Sequence, residues 1–90
     1  MVGEYTIGVS PKLEPILKKL KKRKPSLYLE LSKQMLKITR EPSLGKPMKN
    51  TLSGSRRVHV GSFVLLYEIR EFEIRLLDFD HHDRIYKKYP

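Results

Sequence analysis

The stretch Arg56-Arg57-Val58-His59-Val60-Gly61-Ser62-Phe63-Val64-Leu65-Leu66-Tyr67-Glu68-Ile69 decides the fold of this chain. Two β-rich runs are separated by two residues led by glycine, the signature of a hairpin with a type II′ or I′ turn. Side chains alternate along a strand, so Arg57 and His59 share one face and Arg56, Val58 and Val60 the other. The run Phe63 to Leu66 has no polar break, as expected of a central strand covered on both faces. A second turn near Arg70-Glu71 leads to a third strand, Glu73 to Phe79.

Working towards the N-terminus, the period changes from two to that of a helix. Residues 41 to 54 hold two prolines, two glycines and a basic segment from Lys46 to Asn50. They read as a basic loop, and loops this long in a small domain tend to carry function. Before it, Leu27, Leu31, Met35 and Ile38 form one apolar stripe, with Ser26 as candidate N-cap and Pro42 as far limit. Leu13, Ile16, Leu17 and Leu20 form another, opened by Ser10-Pro11 as cap and first helical residue. Pro15 should bend or delay that helix, and Pro25 ends it. Its other face carries Lys12, Lys18, Lys19, Lys22 and Arg23. Two such helices joined by Lys-Pro-Ser predict an antiparallel hairpin. Glu4 to Val9 alternates as a short first strand.

The predicted order is strand, helix, helix, strand, strand, strand. This is an α+β fold, a mostly antiparallel sheet with helices packed on one face, spanning residues 1–90 as one domain. The 90 residues contain no cysteine, which excludes disulfides, thiolate metal sites and cysteine nucleophiles. No apolar run approaches the roughly 20 residues of a membrane span, and no secretory signal is visible, so a cytoplasmic protein is expected. The net charge of +9 points to a polyanionic partner.

The chemistry-bearing residues gather near strand ends. Asp78-Phe79-Asp80-His81-His82-Asp83-Arg84-Ile85-Tyr86 places two of the three histidines directly after the last strand. These carboxylates and imidazoles are potential zinc or manganese ligands, but adjacent strand residues point apart, so no metal site is expected. Orientation of a histidine by Asp80 or Asp83 is the better use of these acids. Metal-free RNA cleavage needs a base for the 2′-hydroxyl, cations for the phosphorane and an acid for the leaving 5′-oxygen. His59 and His82 could transfer the protons; Arg57 and the lysines of the 46–49 loop could carry the charge. No P-loop, serine triad or dinucleotide fingerprint is present, and no cofactor is expected.

The run Leu52-Ser-Gly54-Ser-Arg56-Arg57-Val-His59-Val-Gly61-Ser-Phe63-Val-Leu-Leu-Tyr67, closed by His81-His82-Asp83-Arg84-Ile85-Tyr86, resembles the RelE/ParE toxin superfamily. The shared pattern is Leu-x-Gly, then Arg-x-(Arg/His)-x-Gly, an apolar strand ending in tyrosine, and a His- or Arg-rich close before an aromatic residue. The likeness covers nearly the whole chain and is greatest to the YafQ-like branch, which uses histidines where RelE uses arginines.

That resemblance implies the toxin of a type II toxin–antitoxin pair. Its ribonuclease members cleave mRNA in the ribosomal A site without a metal and are neutralised by an acidic, RelB-like antitoxin. It makes His59, His82, Arg57 and Tyr86 the expected catalytic set, with His81 in reserve. Lys18, Lys19, Lys22, Arg23, Lys46, Lys49 and Arg56 are the expected contacts to RNA and rRNA. The chain departs from the pattern at Asn50, Ser62 and Val64, where YafQ-like or RelE-like sequences carry a histidine, an aspartate and an arginine. ParE-like members share the fold but inhibit DNA gyrase, and an attenuated toxin would chiefly bind its antitoxin; both are alternatives.

Overall fold

The computed structural model describes residues 5–89. Five strands form one sheet in the order β1-β5-β4-β3-β2, where β1 is Thr6–Val9, β2 Lys46–Pro47, β3 Ser55–Val60, β4 Phe63–Arg70 and β5 Glu73–His81. Pairing is antiparallel except at β1, which runs parallel to β5 with Ile7 opposite Ile74. The expected strand start at Glu4 lies outside the described residues. Helices α1 (Glu14–Arg23) and α2 (Pro25–Arg40) form the expected hairpin between β1 and β2.

Both expected serine caps are absent, for reasons of local geometry. Proline at position 15 delays α1 to Glu14, after a tight turn in which Leu13 and Glu14 donate to the Ser10 carbonyl. The Ser10 hydroxyl instead donates to the Leu77 carbonyl (3.1 Å). Pro25 takes the first position of α2, where its missing N–H costs nothing, so Ser26 falls inside the helix.

The β3–β4 turn is built as expected, with Gly61 at φ 60°. Of the two primed turns this leaves type II′, because Ser62 does not share the positive φ. The β4–β5 turn falls one residue later than expected, at Glu71-Phe72. Glu71 holds φ 54° without being glycine.

The core lies on both faces of β4. On the hairpin side, Leu13, Leu31 and Ile38 pack on Val58, Val60, Leu65, Tyr67, Ile74, Leu76 and Phe79. On the other, Val64 and Leu66 are covered by Ile85 of a third helix, α3 (His82–Lys88), with Met48, Leu52, Leu77, Tyr86 and Tyr89 around them. This helix is the main addition to the expected fold, which placed helices on one face alone.

One irregularity decides which β5 residues meet α3. Leu66 pairs with Asp78 but Tyr67 pairs with Leu76, so Leu77 is an extra residue, a β-bulge. Unbroken alternation from Ile74 and Leu76 would send residue 78 to the hairpin side. The bulge reverses the parity, sending Phe79 into the hairpin core and Asp78 and Asp80 under α3.

Residues 41–54 are tied down rather than loose. The buried Tyr67 hydroxyl donates to the Pro42 carbonyl (2.7 Å) and accepts from the Gly45 N–H (2.7 Å). Desolvation pushes that phenol above its ordinary pKa. The segment then adds β2 beside β3 and a 3₁₀ turn over Asn50–Leu52.

Candidate active site on the face of strand β3

Alternation along β3 turns Val58 and Val60 to the helical hairpin and Arg57 and His59 to the opposite face. Helix α3 starts beside them. Its first turn is capped by His81, whose Nδ1 accepts the Asp83 N–H (3.3 Å). His82 and Tyr86, four residues apart, then share one side of α3 with rings in edge contact, centroids 5.0 Å apart. The His82 ring stacks on His59, centroids 5.8 Å apart and planes 26° from parallel. Arg57 donates through Nη1 to the Tyr86 hydroxyl and lies 5.6 Å from the ring centre. Arg57, His59, His82 and Tyr86 therefore form one cluster. Both imidazoles are exposed, while Arg57 and Tyr86 are half-buried.

His81 is not part of it. Its ring meets Phe63 edge-on at 5.6 Å on the hairpin side of β5. The change from strand to helix between the two histidines sends their rings apart. Asp83 nevertheless lies near both, with its oxygens 3.9 Å from His81 Nδ1 and 3.5 Å from His82 Nδ1. Among the described residues, no three His, Asp or Glu side chains converge as metal ligands.

The basic residues divide between two faces. Lys46 and Lys49 line a cleft of about 390 Å³ that reaches Arg57. Lys18, Lys19, Lys22 and Arg23 are exposed on α1, across the sheet from the histidines. Lys19 and Arg23 border a second, larger groove of about 520 Å³, whose floor is Ile16, Leu20, Phe63 and Phe79. Arg56 is half-buried, and its Nη1 donates to the carbonyls of Gly45 (2.7 Å) and Ser43 (3.2 Å), which ties it to the 42–45 segment. Val64, paired with His59 across β3 and β4, is fully buried under Ile85, so this position adds packing and no charge beside the cluster.

What seats α3 is a carboxylate singled out only as a potential metal ligand. Asp78 is fully buried, and its Oδ2 accepts from the Tyr89 hydroxyl (2.9 Å) and from Lys88 (3.2 Å), with Lys12 at 3.3 Å. Burial alone would push its carboxyl up, but Tyr89, Lys88 and the Phe79 N–H outweigh it, leaving the pKa below its ordinary value. Asp80 is lowered by the same contest between burial and Lys88. Lys88 is raised in return, chiefly by Asp80. The acidic start and Lys87-Lys88 close of α3 are readable helix signals, but one buried apolar residue in seven gives no period to see.

The comparisons agree with this architecture. The sequence profile of the ParE toxins of type II toxin–antitoxin systems, parDE, matches residues 7–86. A candidate toxin of Methanocaldococcus jannaschii, RelE4, is 40% identical over 87 residues, 93% of each chain. Among solved structures, the RelBE2 toxin–antitoxin complex of Mycobacterium tuberculosis contains a chain with a TM-score of 0.73 and 27% identity, covering 87% of this chain and 98% of that one. A YafQ variant from E. coli gives 0.72 at 18% identity over 91% and 98%. The chain thus belongs to the RelE/ParE superfamily of type II toxins. The resemblance noted in the sequence is confirmed at that level.

Proposed function

We propose that this toxin is a ribosome-dependent, metal-independent endoribonuclease acting on mRNA. The observation that carries the proposal is the stacking of His59 on His82 beside the Arg57–Tyr86 pair, where β3 meets the start of α3 and both imidazoles are exposed. One imidazole takes the 2′-hydroxyl proton as the 2′-oxygen bonds to the adjacent phosphorus. The other gives a proton to the 5′-oxygen as its bond to phosphorus breaks, leaving a 2′,3′-cyclic phosphate. The guanidinium of Arg57 offsets the charge that builds on the phosphorane oxygens, and Tyr86 presents a face on which a base can stack.

The exposed cations of α1 are the proposed rRNA contacts, and their position across the sheet leaves the histidine face to the message. The antitoxin is proposed to be an acidic protein with an amphipathic segment. The groove over Ile16, Leu20, Phe63 and Phe79 supports this, because Lys19, Arg23, Lys24, Arg84 and Lys88 rim its apolar floor.

Induced expression in a bacterium, with primer extension on a reporter mRNA, tests the proposal. Cuts within translated codons that vanish in His59→Ala/His82→Ala support it; toxicity without cuts removes it. The matching ParE profile favours gyrase as the second target to assay, by supercoiling in vitro.

A further inference from the structure

The ribonuclease reading leaves unexplained how one phosphodiester among many is chosen, and the 46–52 segment bears on that. Arg57 and Tyr86 form a divide between two openings. On one side lies the cleft of about 390 Å³ against β2 and its 3₁₀ turn; on the other a shallower one of about 370 Å³ contains His82 and Tyr86. A strand whose phosphate sits at Arg57 therefore has a cleft beside it for a neighbouring nucleoside.

That first cleft has the chemistry of a base site. Pro47, Met48 and Leu52 supply apolar wall, and Met48 and Leu52 are anchored against the buried Val64, Leu66 and Ile85. Lys46 and Lys49 supply cations at its rim. Among the described residues that line it, Asn50 alone carries an amide, which donates and accepts from one planar group as a base edge requires; the hydroxyl of Tyr89, also on the lining, is already engaged with Asp78 and Lys12. It holds φ 59°, a left-handed conformation that asparagine tolerates better than most residues, and this places it at the first position of the 3₁₀ turn. A volume of 390 Å³ falls within the range of small-ligand sites.

We infer that this cleft is a nucleobase subsite, seating the base next to the scissile phosphate, and that Asn50 is its specificity-determining residue. The inference rests on the ribonuclease reading and adds the element that sets sequence preference. Pro47 and Met48 hold the base by contact with its face, which any base offers. The Asn50 amide reads its edge. Lys46 and Lys49 act on the flanking phosphates without regard to sequence.

The test is cleavage of an mRNA library, randomised in the decoded codon, on translating ribosomes, with the cut ends sequenced. Asn50→Gly is the informative variant, because glycine accepts the left-handed backbone and only the amide is lost. Cuts are expected to persist at a reduced rate, with base preference at one position beside the cut falling about fivefold or more. Lys49→Ala is expected to lower cleavage evenly across all sequences. An Asn50→Gly profile identical to wild type overturns the inference and leaves the ribonuclease reading standing. Complete loss of cutting in a folded Asn50→Gly protein assigns the residue to catalysis and overturns it too. A wild-type protein that cuts nothing removes both.

Discussion

The His59 and His82 rings are stacked 26° from parallel, 5.8 Å between centroids, though 23 positions apart in sequence and on different kinds of element. One belongs to a strand and the other to the first turn of a helix that packs across that strand's neighbour. If they divide acid and base duty within one turnover, they act as a unit, and losses within a unit do not add. Either histidine alone replaced by alanine is expected to cost about 10²- to 10⁴-fold in cleavage rate. The double variant should then be no more than about tenfold worse than the poorer single one. Single-turnover rates on ribosome-bound mRNA make the comparison, and fully multiplicative losses would mean that the two histidines act independently.

The Arg57–Tyr86 hydrogen bond has a separate consequence. Lysine keeps the charge of Arg57 but lacks the planar fork that, on the proposed mechanism, would serve a phosphate while it holds the tyrosine hydroxyl. Arg57→Lys is expected to lose about 10- to 100-fold in rate and Arg57→Ala about 10²- to 10³-fold, in line with the removal of a transition-state donor. Tyr86→Phe should cost little in the Arg57→Ala background, because the hydroxyl then has no guanidinium to orient. A large Tyr86→Phe loss in that background would show that the hydroxyl acts directly on RNA.

Asp78 links protonation to the seating of α3. Its folded pKa is depressed, so its contribution to stability is fully present above the ordinary carboxylate range and is lost as pH falls through the folded value. Wild-type stability should thus decline below about pH 4. Asp78→Asn should be less stable than wild type at pH 7, by about 3 kcal/mol if the loss resembles that of other buried ion pairs. The gap should narrow at pH 3. Urea unfolding at both pH values measures it, and a gap of constant size would show that the charge of Asp78 does not hold the helix. At neutral pH the same variant should also lose cleavage, since His82 and Tyr86 travel with α3.

How much of this was legible in the chain follows from where period and chemistry coincide. The β3–β4 hairpin was readable because Gly61 leads a two-residue turn between β-branched and aromatic runs. The sharing of a face by Arg57 and His59 followed from alternation alone. Helix α3 was not readable, since Ile85 is its only buried residue and cannot make a period. That His81 and His82 point apart was expected from strand alternation; that a change from strand to helix between them does it was not. Nor was the bulge at Leu77 readable: an extra residue in an apolar strand leaves no mark in composition, yet it sends Asp78 to the α3 side. The serine caps failed because Pro15 and Pro25 set the helix starts more strongly than a neighbouring hydroxyl could.

The Glu71 backbone offers a gain in stability. A residue with a Cβ at φ 54° carries about 1 kcal/mol of strain that glycine does not. Glycine gives part of this back through the entropy of the unfolded chain. Glu71→Gly is therefore expected to stabilise by about 0.5 kcal/mol, or about 2–4 °C in Tm for a domain of this size. Glu71→Asn should gain in the same direction. Thermal melting checks both, and a lower Tm in each would mean that the Glu71 side chain contributes more than its backbone costs.

Gly45 shows the opposite constraint, since its backbone is extended (φ −71°, ψ 151°) and what it lacks is space. A Cβ there would sit 2.6 Å from the Tyr67 hydroxyl oxygen and 2.8 Å from the Arg57 carbonyl. Tyr67 is fully buried and cannot swing away, so Gly45→Ala should cost about 1–3 kcal/mol. Tyr67→Phe should cost a similar amount by a different route, leaving the Gly45 N–H and the Pro42 carbonyl without the hydroxyl that now serves both. Combined, the two penalties should sum to less than their separate values, because phenylalanine removes the oxygen against which the new methyl would press. The Arg57 carbonyl remains in the way, so the rescue is partial. Chemical denaturation of the four proteins measures the coupling. Strictly additive losses would mean that the loop gives way at Gly45 without pressing on Tyr67, and the 42–45 segment would then not be pinned through this hydroxyl.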